Sequence, residues 1–220
     1  MGLLLKEVKE DHEFGPLIVA FRKGFIDPGH PLWPLYTADL KPYTNERVQA
    51  VLNESTQRFI EWHHHDPTST WLQVVDEDTG EVVAGARWSI FKKDGGNPYD
   101  EHEHVEATWF PEGDLRTVAD KLINDFLASA VKHANHPHAS VLNIIFTGIA
   151  QAKQNGLGLF LEATREGKPV YERYGFHVIE EHSLSLGDLE ELVENNPELK
   201  RAVYGNLLPL TWSSMVKHAE

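Results

Sequence analysis

Four stretches of this chain gather residue types that can do chemistry. The run "EWHHHDP" sets His63, His64, His65 and Asp66 side by side, nitrogen and oxygen ligands of the kind zinc takes. Adjacent histidines on a helix point in different directions and no further ligand pair is evident, so the run reads as a solvated helix end and no metal centre is expected. The run "DEHEHVEATWF" offers Glu101, His102, Glu103, His104 and Glu106. On a strand the glutamates 101 and 103 would face away from the histidines 102 and 104, and one of these groups could act as a general base; the plainer reading is an exposed acidic loop. "QNGLGLF" holds a Gly-x-Gly, but ahead of a strand instead of behind one, so it is no dinucleotide fingerprint. In "GKPVYERYGF", Tyr171 taken alone reads as a core aromatic. There is no HExxH, and no Ser or His stands in a nucleophile-elbow context. The chain has no cysteine, which removes thiolate nucleophiles, disulfides and zinc–thiolate or iron–sulfur centres.

The elements that must position these residues follow from periodicity. Residues 3–8 read as a first strand. In "DHEFGPLIVAFRKGF", Phe14, Leu17, Ile18, Phe21 and Phe25 fall near helical spacing. "DPGHPLWPLY" reads as a proline-rich loop with exposed aromatics, and "TNERVQAVLNESTQRFIEW" as a second helix. The period then changes: "TWLQVVDEDTGEVVAGARWSIFK" predicts two antiparallel strands around an acidic turn closed by Gly80. Residues 114–134 form the clearest helix, with an apolar stripe from Leu115 through Val118, Leu122 and Phe126 to Val131. "SVLNIIFT" (140–147) reads as a buried strand, "GIAQAKQNG" as a short helix closed by Gly156, and "LGLFLEAT" as another strand. "GKPVYERYGF" reads as a helix with Pro169 in its first turn and Gly175 at its end. A strand, an acidic helix and a last strand complete a mixed α/β order, with no repeat and no linker between two cores. One domain over residues 1–220 is expected.

Composition bounds the partners. A net charge of −14 repels phosphate backbones, so no nucleic-acid partner is expected. The acidity could attract amines, although a solubilising surface is the plainer reading. No apolar run approaches the ~18 residues of a membrane span, and the opening "MGLLLKEVKEDHEFG" gains charge at once. A cytoplasmic protein with no membrane partner is expected. Its oligomeric state is not written in the sequence.

The stretch "LFLEATREGKPVYERYGFHVIEEHSLSL" resembles the C-terminal half of the GNAT-type N-acetyltransferase superfamily. It is most similar to fungal members that carry a "yLEAS" strand, a Gly and "lYerxGF", matched here by Leu161, Glu162, Ala163, Thr164, Gly167, Tyr171, Glu172, Arg173, Gly175 and Phe176. The likeness extends more loosely to "WLQVVDEDTGEVVAGARW" and so over most of the chain. It implies a GNAT-like mixed, mostly antiparallel central sheet flanked by helices, with a parallel βαβ unit in the second half. It also implies acetyl transfer from acetyl-CoA to a small-molecule amine without a covalent enzyme intermediate. The strand equivalent to residues 141–147, with Ile145, Phe146 and Thr147, would bond the pantetheine through its backbone, and Ala163, Thr164 and Gly167 would complete the cofactor side. Tyr171 would protonate the departing thiolate, a step for which a phenol of ordinary pKa ~10 is a competent donor.

One part of the family pattern is absent. The superfamily places Q/R-x-x-G-x-G/A between that strand and the next helix, where backbone N–H groups cradle the CoA diphosphate. Here "IIFT" passes straight into "GIAQAKQ". A crossover between parallel strands needs only ~10–12 residues, so the fold can survive the join while the cradle does not. Three readings stand side by side: a coding sequence lacking an internal piece, a catalytically dead member kept as a binding or interaction module, and an enzyme with a rebuilt phosphate site.

Overall fold

The structure, a computed structural model, describes residues 2–27, 29–92, 104–142 and 146–219. Its centre is a seven-stranded sheet in the order β1-β2-β3-β4-β5-β7-β6. The strands are β1 (Leu3–Glu7), β2 (Ser69–Asp76), β3 (Val82–Phe91), β4 (His138–Leu142), β5 (Gly158–Ala163), β6 (His177–Ser183) and β7 (Thr211–Lys217). Every neighbouring pair is antiparallel except β4 and β5. This is the expected mixed, mostly antiparallel arrangement, with one parallel pair in the second half. Among the described residues no helix is long and apolar enough to cross a membrane.

The acidic turn between β2 and β3 is made as its residues require: Gly80 takes φ +74°, open to glycine at no steric cost. The pairing sets Trp71 opposite Arg87 and Leu72 opposite Ala86. On one face of the sheet lie α1 (Phe14–Ile26), α2 (Leu32–Thr37), α3 (Asn45–His65) and α4 (Asp114–His133). Phe14, Leu17, Ile18 and Phe21 of α1 are buried against Phe59 and Ile60 of α3 and Trp71 of β2. Gly85 lets α1 come this close, since a Cβ there would stand 2.2 Å from Leu17 Cδ1. On α4 the expected stripe is buried at Val118, Leu122 and Phe126 and half-buried at its ends, Leu115 and Val131, and Phe126 packs on Trp212 of β7 with ring centroids 4.9 Å apart.

The opposite face carries α5 (Phe146–Gln154) and α6 (Lys168–Arg173). Ala152 of α5 and Tyr171 of α6 join Trp88, Leu159, Leu161, Ala163, Phe176 and Met215 in one buried cluster. The positive φ angles of Gly156 and Gly175 fall where the sequence places the ends of these two helices. Two further short helices, α7 (Glu190–Asn195) and α8 (Pro197–Ala202), precede β7.

Two expectations are corrected. The proline-rich stretch is not a loop with exposed aromatics: Leu32–Thr37 is helical and Trp33 is buried. Pro34 falls in the first turn of α2, where a missing N–H breaks no helical bond. The predicted strand 140–147 is shorter and shifted: β4 ends at Leu142 and α5 already begins at Phe146. A short apolar run does not distinguish a buried strand from a buried helix segment, and here its last two residues are helix. Phe146 and Thr147 therefore lie on a helix, not on the strand assigned to them, and Ile145 lies outside the described residues.

Candidate active site

Among the described residues the parallel pairing covers only the first half of β5. β4 and β5 pair from His138–Gly158 to Ser140–Phe160. Beyond that point β4 continues beside β3 to Leu142, while β5 continues beside β7 to Ala163. Among the described residues Leu161, Glu162 and Ala163 have strand partners on the β7 side only.

Alternation along β5 sends its side chains to opposite faces where this pairing ends. Leu161 and Ala163 enter the cluster that holds Tyr171. Phe160 and Glu162 face a cavity of about 410 Å³ on the α1–α4 side. Its floor is a patch of the sheet that crosses four strands: Trp71, Arg87, Ser89, Ser140, Phe160 and Glu162. Its roof is aromatic, from Phe21 of α1, Trp33 and Tyr36 of α2, Phe59 and Trp62 of α3, and Phe126 of α4.

The roof helices are fixed by buried polar contacts. Trp33 Nε1 and Arg22 Nε both donate to Asp39 Oδ2, at 2.9 and 2.7 Å, tying α2 to α1. Arg58 Nη2 donates to the Tyr36 carbonyl at 2.8 Å, and the guanidinium lies 4.7 Å from the Trp62 ring centre and 4.4 Å from that of Trp109. These contacts join α3 to α2.

Glu162 is the unusual group. Burial pushes its carboxyl up to about 8, opposed by a hydrogen bond with Ser129. Ser129 Oγ also donates to the Phe126 carbonyl at 2.9 Å and accepts from Trp212 Nε1 at 3.2 Å. A hydroxyl has one proton to give, so it satisfies all three neighbours only when the carboxyl is neutral and donates to it. The other acid lining the cavity among the described residues, Asp66, is neutralised: Arg87 Nη2 donates to its Oδ2 at 3.0 Å, and Thr68 Oγ1 to its Oδ1 at 2.6 Å.

The residues singled out in the sequence fare differently. Tyr171 is buried on the face away from Glu162, and its ring lies against the turn at Gly167, where a Cβ would approach Tyr171 Cε2 to 3.1 Å. Thr164 Oγ1 accepts from Gly167 N at 3.1 Å and holds that turn. Thr164 also lines a second cavity of about 390 Å³ with His30 and Glu166; Phe21 and Phe25 line both cavities. The histidine run is dispersed as expected: His63 meets Ser69, His64 meets Asp11, and His65 meets the Glu61 carbonyl. Glu101, His102 and Glu103 lie outside the described residues, while His104 is exposed and Glu106 reaches toward Arg116 at 3.8 Å.

The sequence reading missed Glu162 as a functional group, although it stood inside the recognised motif. Its signal was a lone carboxylate in the apolar strand "GLFLEA", two residues from Phe160 and therefore on the same face. It also missed a triad of potential metal ligands, His133, Glu180 and His182, whose ligand atoms lie within 4.8 Å of one another. Lys132 Nζ donates to both Glu180 oxygens, at 2.8 and 2.7 Å, which puts positive charge where a cation would sit. Together with His133 it holds the Glu180 carboxyl well below the usual range, as expected of an ion-pair network.

No protein-family model and no curated protein matches the sequence. Solved structures similar to the chain include one provisionally assigned as a phosphinothricin N-acetyltransferase, at 13% identity and a TM-score of 0.48, covering 100% of this chain and 99% of that one. Another is mosquito arylalkylamine N-acetyltransferase like 5b, at 12% identity and a TM-score of 0.45, covering 98% of this chain and 99% of that one.

Proposed function

We propose that the chain is an acetyl-CoA-dependent N-acyltransferase of the GNAT type, one catalytic domain over residues 1–220, in which Glu162 and Tyr171 handle the two protons of the reaction. The observation that carries this reading is the end of the β4–β5 pairing partway along β5, with Glu162 on one face of β5 and the Tyr171 cluster on the other. The "LFLEATREGKPVYERYGF" motif supports the fungal-like branch.

When bound, acetyl-CoA supplies the acetyl group as a thioester. The one-sided pairing of Leu161–Ala163 fits an extended amide-bearing arm, which can bond to a strand edge as an added strand does. Ala163, Thr164 and Gly167 end that strand, and Phe146 and Thr147 sit at the start of α5, where unpaired helix N–H groups attract phosphate. With Ile145 they make up the proposed cofactor side. Glu162 takes a proton from the amine, and Tyr171 holds its phenolic proton for the leaving sulfur. Glu162 works as a base only once ionised, so its raised pKa makes activity depend on alkaline pH.

The direct passage from "IIFT" to "GIAQAKQ" favours a second reading, a non-catalytic binding module on the same fold, because the sequence has no glycine-rich diphosphate cradle there. Incubation with acetyl-CoA and a panel of primary amines, followed by mass spectrometry, separates the two. An acetylated amine formed in proportion to enzyme supports the transferase; free CoA accumulating no faster than in buffer, with no acetylated amine, supports the binding module.

A further inference from the structure

Resting on the transferase reading for its role but not for its geometry, we infer that the cavity over β3–β5 takes a primary amine carried on a short arm by an aromatic ring, with the nitrogen on Glu162 and the ring under the roof of α1–α4. Three observations select this ligand.

The first is the wall. The cavity's rings already meet edge to face: Phe59 of the roof lies 5.7 Å from Trp71 of the floor and Tyr36 lies 6.2 Å from Phe126, while Phe59 and Trp62 are tilted together at 5.0 Å, measured between centroids. A ligand ring continues that set. It gains roughly two- to tenfold in affinity over an alkyl chain of equal area, because ring edges and faces carry opposite partial charge. The cavity's about 410 Å³ is ample for a one- or two-ring amine.

The second is the charge inventory. Glu162 is half-buried and has neutral groups beside it: Ser129 of α4, Trp212 and Ser214 of β7, and Phe160 on its own strand. The ionisable groups on the packed elements include Arg87 and Asp66, which pair with each other, His182 of β6, held against Trp212 and Ser214, and Glu180 of β6, which is bonded to Lys132 and His133 of α4. Among the described residues Glu162 is therefore the one acid of the cavity without a cationic partner. A polyamine would leave its second ammonium unpaired. An aromatic amino acid would bury a carboxylate with no cation to meet it, because Arg87 is engaged, and either mismatch is costly.

The third is proton balance. The carboxyl is neutral below about pH 8, and a free alkylamine is an ammonium. Forming the bound pair releases one proton to solvent, whichever partner holds the one that remains. Affinity must therefore climb about tenfold per pH unit up to about pH 8 and flatten above it, while the amine is still charged in solution.

Isothermal titration of the full chain without acetyl-CoA tests this, with 2-phenylethylamine, tryptamine, n-hexylamine, spermidine and phenylalanine as probes between pH 6 and 9.5. The expected result is that the two arylalkylamines bind tightest, with a break in affinity near pH 8. Glu162→Gln should weaken them at least tenfold and remove the break. Trp62→Ala should weaken them and keep it. Spermidine, hexylamine or phenylalanine binding as tightly as 2-phenylethylamine overturns the inference, as does a Glu162→Gln chain that keeps wild-type affinity and pH dependence, or the absence of amine binding. If arylalkylamines bind in this pattern but are never acetylated, the transferase reading fails and this one stands. If spermidine is acetylated in their place, the transferase reading stands and this one fails.

Discussion

The Ser129 hydroxyl and the Glu162 carboxyl are hydrogen-bonded inside the protein, with the Trp212 indole N–H on the same serine oxygen. This junction is where α4, β5 and β7 meet, and it makes the protonation state of Glu162 a matter of stability as well as chemistry.

Folded-state burial raises the Glu162 carboxyl from an ordinary 4.5 to about 8. A raised carboxyl favours the folded state while both forms hold the proton, below pH 4.5, and that advantage is lost as pH climbs to 8. Denaturant melts of the wild type and Glu162→Gln at pH 5 and pH 9 should show the variant gaining relative stability at the higher pH. At ~1.4 kcal/mol per unit the ceiling is on the order of 4 kcal/mol. Equal differences at both pH values would mean that Glu162 titrates as an exposed acid.

The fold was legible in the sequence wherever period and turn chemistry agreed. The β2–β3 hairpin has alternating apolar residues and Gly80 at its turn, and α4 has an unbroken stripe; both form where expected. The failures share a cause. Prolines 31 and 34 suggested a loop because proline interrupts helix interiors, but at a helix start it interrupts nothing. The run after Ser140, apolar apart from Asn143 up to Phe146, carried no period at all, so the end of β4 could not be read. Glu162 was visible as a letter but not as a site, because its burial depends on α4 and β7, which come from distant parts of the chain.

Tyr171→Phe removes one oxygen from a side chain packed with Phe176, Leu161 and Ala163. If the chain turns over, the rate of acetyl transfer should fall by ~10²–10⁴ with the melting temperature nearly unchanged. A folded variant with an unaltered rate would take Tyr171 out of the mechanism.

Gly85→Ala tests the seating of α1, and with it the roof over Glu162. The added methyl meets Leu17 Cδ1 and the Phe21 ring, both in the core. A loss of ~1–3 kcal/mol in a urea melt is expected from such overpacking. Wild-type stability would show that α1 is not held against β3 this closely.

The join after β4 predicts weak CoA binding, because each missing N–H to a charged oxygen forfeits ~1.5–3 kcal/mol. Inserting a Q-x-x-G-x-G loop ahead of Phe146, where α5 begins, should raise the melting temperature further when CoA is added, since a ligand specific to the folded state stabilises it. Identical CoA-induced shifts in the two chains would mean that the phosphate end is already complete.

The central claim is that Glu162 takes the proton of an amine acetylated where the β4–β5 pairing ends. The most direct measurement is the pH profile of kcat/KM for acetyl transfer from acetyl-CoA to 2-phenylethylamine, in the wild type and in Glu162→Gln. The account predicts a wild-type limb that rises through about pH 8 and a variant that is slower by ~10²–10⁴ and lacks that limb. A Glu162→Gln enzyme with the wild-type rate and the same rising limb would contradict it.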